Sequence, residues 1–180
     1  MNNPILIKEI KKYEDERGFF YESYKENFLE KEYGITKKFV QDNHSISKYG
    51  VIRGMHYQWD NPMDKLVRVS KGMIIDIILD IRKNSKTFGQ INTYLLDDQN
   101  NNQLWVPAGF AHGFVSLSTE SHVQYKCTEL YNKEGESGIS PLDKEIKQYF
   151  LKYIKEESII ISDKDQKAKT FYEYMLDPKF

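Results

Sequence analysis

From residue 38 to residue 130 the chain reads as one short strand after another, and this succession limits the fold more than any other feature. The strand-like stretches are Lys38 to Asn43, Val51 to Tyr57, Lys65 to Ser70, Met73 to Arg82, Ile91 to Leu96, Gln103 to Val106, Ala111 to Leu117 and His122 to Leu130. Brief connections carrying Gly, Asn, Asp or Pro separate them, the residue types that close turns. Short strands at such spacing form a β-sandwich or barrel. The run Ile74-Ile75-Asp76-Ile77-Ile78-Leu79-Asp80-Ile81 is too apolar for a strand with one wet face, so it belongs between two layers.

The flanks differ in texture. Pro4 to Ile10 reads as an edge-type strand, Asp15-Glu16-Arg17-Gly18 as a turn, Phe19 to Tyr24 as an extended piece and Asn27 to Tyr33 as a short helix. Near the end, apolar residues at 142, 146, 150 and 151 predict a helix over Leu142 to Tyr153, followed by a strand at Ser158 to Ile161 and a helix over Gln166 to Met175. With no internal repeat or linker, residues 1–180 fit a single domain with one site.

Charge and cysteine usage narrow the partners. The 26 basic residues are scattered among 27 acidic ones for a net charge of −1, so no nucleic-acid footprint emerges. The lone Cys127 allows no intramolecular disulfide and suits a reducing compartment. No stretch approaches the roughly 18 apolar residues of a membrane span, and the first residues lack a signal-peptide pattern, so a soluble, cytoplasmic protein is the expectation.

Among four histidines, His56 is the most informative, because Arg53, Tyr57 and Gln58 give its strand unusually polar company. A neutral imidazole there could abstract a proton near neutral pH, although an isolated histidine is more often structural. A metal centre is not expected: no His-x-His pair occurs, and His56 and His112 lack obvious further ligands. His112 follows the tight turn Pro107-Ala108-Gly109, where its ordinary role is to hydrogen-bond that turn. Cys127, among polar neighbours, reads as a core residue and not a nucleophile. Phosphate-binding glycine loops are absent, so a bound dinucleotide cofactor is not expected. A nucleotide would instead be held by side chains, for which Arg17, Arg53, Lys65, Arg68 and Lys164 are candidates.

Seven blocks, in order along nearly the whole chain, resemble the dTDP-4-dehydrorhamnose 3,5-epimerase family of cupin-fold nucleotide-sugar enzymes. They are Asp15 to Glu22, Phe39 to Ser45, Val51 to Gln58, Lys65 to Val69, Gln103 to Phe114, Tyr125 to Thr128 and Ser162 to Asp165. The resemblance implies an all-β cupin, a double-stranded β-helix or jelly-roll barrel, with a few short peripheral and C-terminal helices. It implies a cofactor-free epimerase acting on a nucleotide-diphosphate 4-keto sugar, whose carbonyl acidifies the hydrogens on C3 and C5. By the family pattern His56 is the base, Asp165 its partner, Lys65 the cation facing the enolate oxygen and Tyr125 the opposing acid. His112 and Tyr131 would line the sugar pocket, and Arg17, Glu22, Gln41, Asn43, Arg53, Glu136 and Lys164 match positions holding nucleotide and diphosphate. Some of these come from a second subunit in relatives, which implies a homodimer sharing its N-terminal strands.

Two features bear on the substrate. The segment Tyr57-Gln58-Trp59-Asp60-Asn61-Pro62-Met63-Asp64 is shorter than the family's usual loop, and its Trp-Asp-x-Pro-Met pattern looks more like relatives acting on GDP-linked 4-keto heptoses for capsules. On this reading GDP-4-keto-heptose comes first and dTDP-4-dehydro-6-deoxyglucose next, and the loop borders the pocket. Asp64 stands where a Gly commonly precedes the Lys, and its carboxylate could raise the pKa of Lys65 or compete for it. A cupin 3,4-ketoisomerase and a non-catalytic sugar-binding cupin are the rival functions.

Overall fold

The computed structural model describes residues 3–8 and 10–180. Two five-stranded antiparallel sheets face each other. One runs in the order β1 (Ile5–Ile7), β9 (Gln103–Val106), β6 (Lys65–Lys71), β11 (Ser121–Cys127), β4 (Gln41–Ser47). The other runs β12 (Glu136–Gly138), β5 (Ile52–Gln58), β10 (Phe110–Ser116), β7 (Met73–Asp80), β8 (Ile91–Asp97). This is the all-β cupin barrel the sequence led us to expect. A separate hairpin joins β2 (Lys12–Asp15) to β3 (Gly18–Tyr21), and the helices are short: α1 (Glu26–Tyr33), α2 (Lys144–Phe150), α3 (Asp163–Gln166) and α4 (Phe171–Leu176). No described helix is long and apolar enough to cross a membrane.

The apolar run in β7 does lie between two layers. Its alternate residues Ile74 and Ile78 join Val67, Val69, Leu96, Leu104, Val106, Phe110, Phe114 and Val123 inside the barrel. Ile75, Ile77, Leu79 and Ile81 point the other way and pack under Ile146, Phe150, Phe171 and Tyr174 of the C-terminal helices. Period-two alternation thus serves two cores at once, so both faces of β7 are buried, with Asp76 and Asp80 the charged members of the inner one. On the opposite sheet, Leu66 and Trp105 are covered by Ile7, Leu29 and Ile35.

Several boundaries differ from expectation. The N-terminal strand spans Ile5–Ile7, shorter than predicted, and residue 9 of the predicted span lies outside the described residues. The strand expected at residues 38–43 is β4, Gln41–Ser47, whose inward positions 43, 45 and 47 are polar and hide the alternation from an apolar-pattern reading. The predicted strand at residues 158–161 is a 3₁₀ turn, Glu156–Ser158, followed by one parallel bridge from Ile160 to Val51. Of the helix predicted over residues 166–175, only 171–175 is helical as part of α4, and residue 166 is the last of α3. Thr170 breaks it by capping α4, its side chain accepting from the Glu173 N–H while Glu173 accepts from the Thr170 N–H.

At the end of β7, Asp80 is fully buried and accepts hydrogen bonds from the Arg82 Nε at 2.9 Å, Arg82 Nη2 at 2.7 Å, Ser85 Oγ at 2.7 Å and Thr87 Oγ1 at 2.6 Å. Burial alone would raise its pKa, but these donors outweigh it and hold the carboxyl at about 2. The folded value lies below the unfolded one, so the charged form stabilises the fold at neutral pH, and this contribution is lost as pH falls from about 4 towards 2. Asp80→Asn is expected to lower unfolding free energy at pH 7 by about 1.5–3 kcal/mol, the worth of hydrogen bonds to a charged group. Denaturant titrations at pH 7 and pH 3 check this: the deficit should shrink at pH 3, and equal midpoints at pH 7 would contradict it.

Candidate active site

Inside one end of the barrel is a cavity of about 530 Å³, a size suited to a small ligand, lined by side chains from both sheets. His56 enters from β5 and His112 from β10 of one sheet, while Lys65 enters from β6 and Tyr125 from β11 of the other. Arg53, Lys164 and Asp165 complete its charged lining.

Arg53 and His56 share the cavity for a local reason. Three residues apart on a regular strand, they would face opposite sides. Pairing with β10 matches His56 to His112 and Arg53 to Phe114, so three steps on β5 oppose two on β10, the signature of a bulge. Gly54 makes it possible: it sits at φ +124°, and a Cβ there would lie 2.4 Å from the Cα of Gly113. The two glycines let the strands approach where the bulge turns Arg53 inward.

Asp165 reaches His56 from a distant part of the chain. The Ser162 side chain caps α3 by accepting from the Asp165 N–H at 3.1 Å, which fixes the first turn over the cavity mouth. The buried Asp165 carboxylate lies 2.6 Å from His56 Nε2 and also accepts from the Gly54 N–H at 3.4 Å. Burial pushes the Asp165 carboxyl up, but the His56 hydrogen bond and charge, with the Gly54 and Ser162 bonds, outweigh it and hold it below the usual aspartate value. The carboxylate is therefore ionised and orients the ring, leaving Nδ1 as the nitrogen free to take a proton.

Burial pushes the Lys65 ammonium below the ordinary lysine value, against the opposing pull of Cys127, Asp76 and Glu136. The Tyr125 phenol is raised by burial, so it stays protonated at neutral pH and can donate. At the rim, Glu136 accepts from Lys164 Nζ at 2.6 Å and from the Tyr131 hydroxyl at 3.0 Å. The Tyr131 N–H donates to Gln41 Oε1 at 2.9 Å, Gln41 Nε2 to Asn43 Oδ1 at 3.0 Å, and Asn43 Nδ2 to Cys127 Sγ at 3.4 Å. These contacts join Lys164, Glu136, Tyr131, Gln41 and Asn43 into one network, of which only Lys164 lines the cavity itself; Tyr131, expected in the pocket lining, lies outside it.

Other sequence expectations need correction. His112 does not bond the Pro107–Gly109 turn; its Nε2 lies 2.9 Å from the buried Asp76 carboxylate. Arg68 points to the outer face of its sheet, where it donates to Tyr21 and Gln124, so it takes no part in the cavity. Asp64 turns away from Lys65: its carboxylate accepts the Ala108 N–H at 2.7 Å and lies 3.7 Å from Lys37. Residues 59–62 do not line the cavity; Tyr57, Gln58 and Met63 of that loop line a small cleft beside Lys65 and His112. Arg17 and Glu22 also lie outside it, paired on the surface with Asp15 and Lys25. Cys127 is buried as expected. Among the described residues, no three His, Cys, Asp or Glu side chains form a metal cluster. Asp76, which holds His112, and the lining residues Ser45, Phe114, Ile161 and Ser162 were not among the expected site residues. The only signal for Asp76 was a charge inside an apolar strand.

Residues 3–173 match the family model for dTDP-4-dehydrorhamnose 3,5-epimerase. The chain belongs to this family. As a member of the dTDP-4-dehydrorhamnose 3,5-epimerase family the protein is an isomerase of the sugar 3,5-epimerase class. A dTDP-4-dehydrorhamnose 3,5-epimerase from Methanothermobacter thermautotrophicus is 45% identical over 169 residues, covering 93% of this chain and 90% of that one. The enzyme of the same name from Pseudomonas aeruginosa is 41% identical over 167 residues, covering 93% and 91%. The crystal structure of dTDP-6-deoxy-D-glucose-3,5-epimerase from Legionella pneumophila in complex with dTDP-4-keto-L-rhamnose superposes with a TM-score of 0.83 at 41% identity, covering 94% of each chain.

Proposed function

We propose that residues 1–180 act as one catalytic domain that epimerises a nucleotide-diphosphate 4-keto sugar at C3 and C5 by removing a proton on one face of the ring and returning one on the other. The observation that carries this reading is the His56–Asp165 pair facing a cavity whose opposite wall holds Lys65 and Tyr125. His56 takes the proton from the carbon beside the carbonyl, and the bonding electrons move onto the carbonyl oxygen. Lys65 stabilises the enolate there, where a cation lowers the barrier more than one that only binds substrate. Tyr125 delivers a proton from the other sheet, inverting the centre. The imidazolium and the phenolate then return to their starting states by exchange with water.

The relatives named dTDP-4-dehydrorhamnose 3,5-epimerase support a dTDP-linked 4-keto sugar, for which we take dTDP-4-dehydro-6-deoxyglucose, with Arg53 and Lys164 meeting the diphosphate. The short loop Trp59 to Asp64 favours a second reading, a GDP-linked 4-keto heptose used for capsule, lipopolysaccharide or another surface glycan. Arg17 and Glu22 sit beside a hairpin whose Phe19 and Phe20 are 52% and 66% exposed. This supports a homodimer in which the hairpin of one subunit brings these residues to the nucleotide of the other.

Incubation with dTDP- and GDP-linked 4-keto sugars in heavy water, followed by mass spectrometry and NMR, tests the reading. Deuterium at C3 and C5 with inverted product is expected. A carbonyl moved to C3 would instead identify a ketoisomerase, and no exchange with either sugar would leave only binding.

A further inference from the structure

Asp76 and Asp80 are both buried on the interior face of β7, yet they differ in what surrounds them. Asp80 is saturated by Arg82, Ser85 and Thr87, which explains it structurally. Asp76 has one hydrogen-bonding partner among the described residues, His112, whose Nε2 lies 2.9 Å from each of the two carboxylate oxygens and donates to Oδ2. Taking a carboxylate out of water is unfavourable unless partners compensate it. An isoleucine there, like Ile74 and Ile78 on either side, would fill the barrel without that cost.

The groups facing Asp76 explain its retention. His112 on β10 lines the cavity and, among the described residues, makes no other side-chain hydrogen bond, so Asp76 holds the Nε2–H and leaves Nδ1 for a ligand. Lys65 on β6 feels Asp76 together with Cys127 on β11 and Glu136 on β12, and Tyr94 on β8 feels it too. Cys127 is itself pushed up by burial and is a neutral thiol at pH 7. Of the two carboxylates acting on Lys65, Asp76 is fully buried on the interior face of β7, whereas Glu136 is already shared by Lys164 and Tyr131.

We propose that Asp76 is a positioning residue for the epimerisation, acting through His112 and Lys65: it orients the His112 ring and supplies the buried counter-charge that keeps the Lys65 ammonium in place for the enolate. This rests on the reading of the cavity as a 4-keto-sugar site. A neutral amide of the same size at position 76 keeps the packing and removes the charge.

The test uses the full-length D76N variant with wild-type circular dichroism as a folding check. With dTDP-4-dehydro-6-deoxyglucose, kcat is expected to fall between about 10- and 100-fold, less than or equal to the loss of a direct oxyanion donor, while KM changes little. The alkaline limb of the kcat/KM profile should move to lower pH, because Lys65 releases its proton more readily without Asp76. Nitrogen-15 NMR of the imidazoles, which needs no substrate, should show the His112 proton fixed on Nε2 in the wild type and spread over both nitrogens in D76N. An unchanged kcat and alkaline limb, or an unchanged His112 tautomer, would overturn the proposal. If the wild type turns over neither the dTDP- nor the GDP-linked sugar, the epimerase reading fails separately, and the imidazole spectra still decide whether Asp76 governs His112.

Discussion

His56→Ala should abolish proton exchange at both C3 and C5, lowering the rate by about 10³- to 10⁴-fold, towards the upper range for loss of a positioned general base. Both carbons are affected because one base is assigned to both: His56, held by Asp165 at 2.6 Å, takes the proton, while His112, held in the same way by Asp76 at 2.9 Å, is assigned to contact with the sugar. The side chain of His56 is only partly buried, and the apolar clusters that hold the barrel lie elsewhere, so the variant should fold. Deuterium uptake in heavy water measures the effect, with thermal unfolding as control. Exchange at near wild-type rate would remove His56 from the role of base.

Tyr125→Phe has a different expected outcome. It leaves His56, Asp165 and Lys65 in place, so the enolate still forms, but no donor remains on the opposite wall. The substrate should then take up deuterium from the His56 side with retained configuration, while inverted product falls by roughly 10²-fold or more. A phenol is protonated at neutral pH, and burial, which raises its pKa further, keeps that proton in place until the enolate forms. NMR coupling constants of the recovered sugar separate the two results: inversion at the wild-type rate would assign the acid to another group. Together the two variants distinguish removal of the proton from its delivery, because the side chains come from different sheets.

Much of the barrel was legible in the chain. Strand spacing and the doubly apolar run of β7 sufficed for a two-layer all-β fold, since alternation and turn chemistry are local properties. The seven family blocks named His56, Lys65, Tyr125 and Asp165 before any geometry was available, and all four line one cavity. Elements whose definition depends on partners were less visible. β4 hides its register behind polar inward residues, β12 is a three-residue strand recognisable only by its pairing with β5, and the break at Thr170 depends on a reciprocal cap with Glu173.

The sequence by itself determined the fold class and the family, because hydrophobic period, turn residues and motif order are written along the chain. Only the tertiary structure decided how these residues work as a site. The bulge at Gly54 turns Arg53 to the same side as His56, a reversal of the simple alternation that no pattern predicts. The α3 cap brings Asp165 across 109 positions to the His56 ring. Asp64, adjacent to Lys65 in sequence, faces away from it, while Asp76, distant in sequence, shares its interior. Electrostatics depends on separation in space and on what water is excluded, and neither quantity is a property of neighbours along the chain.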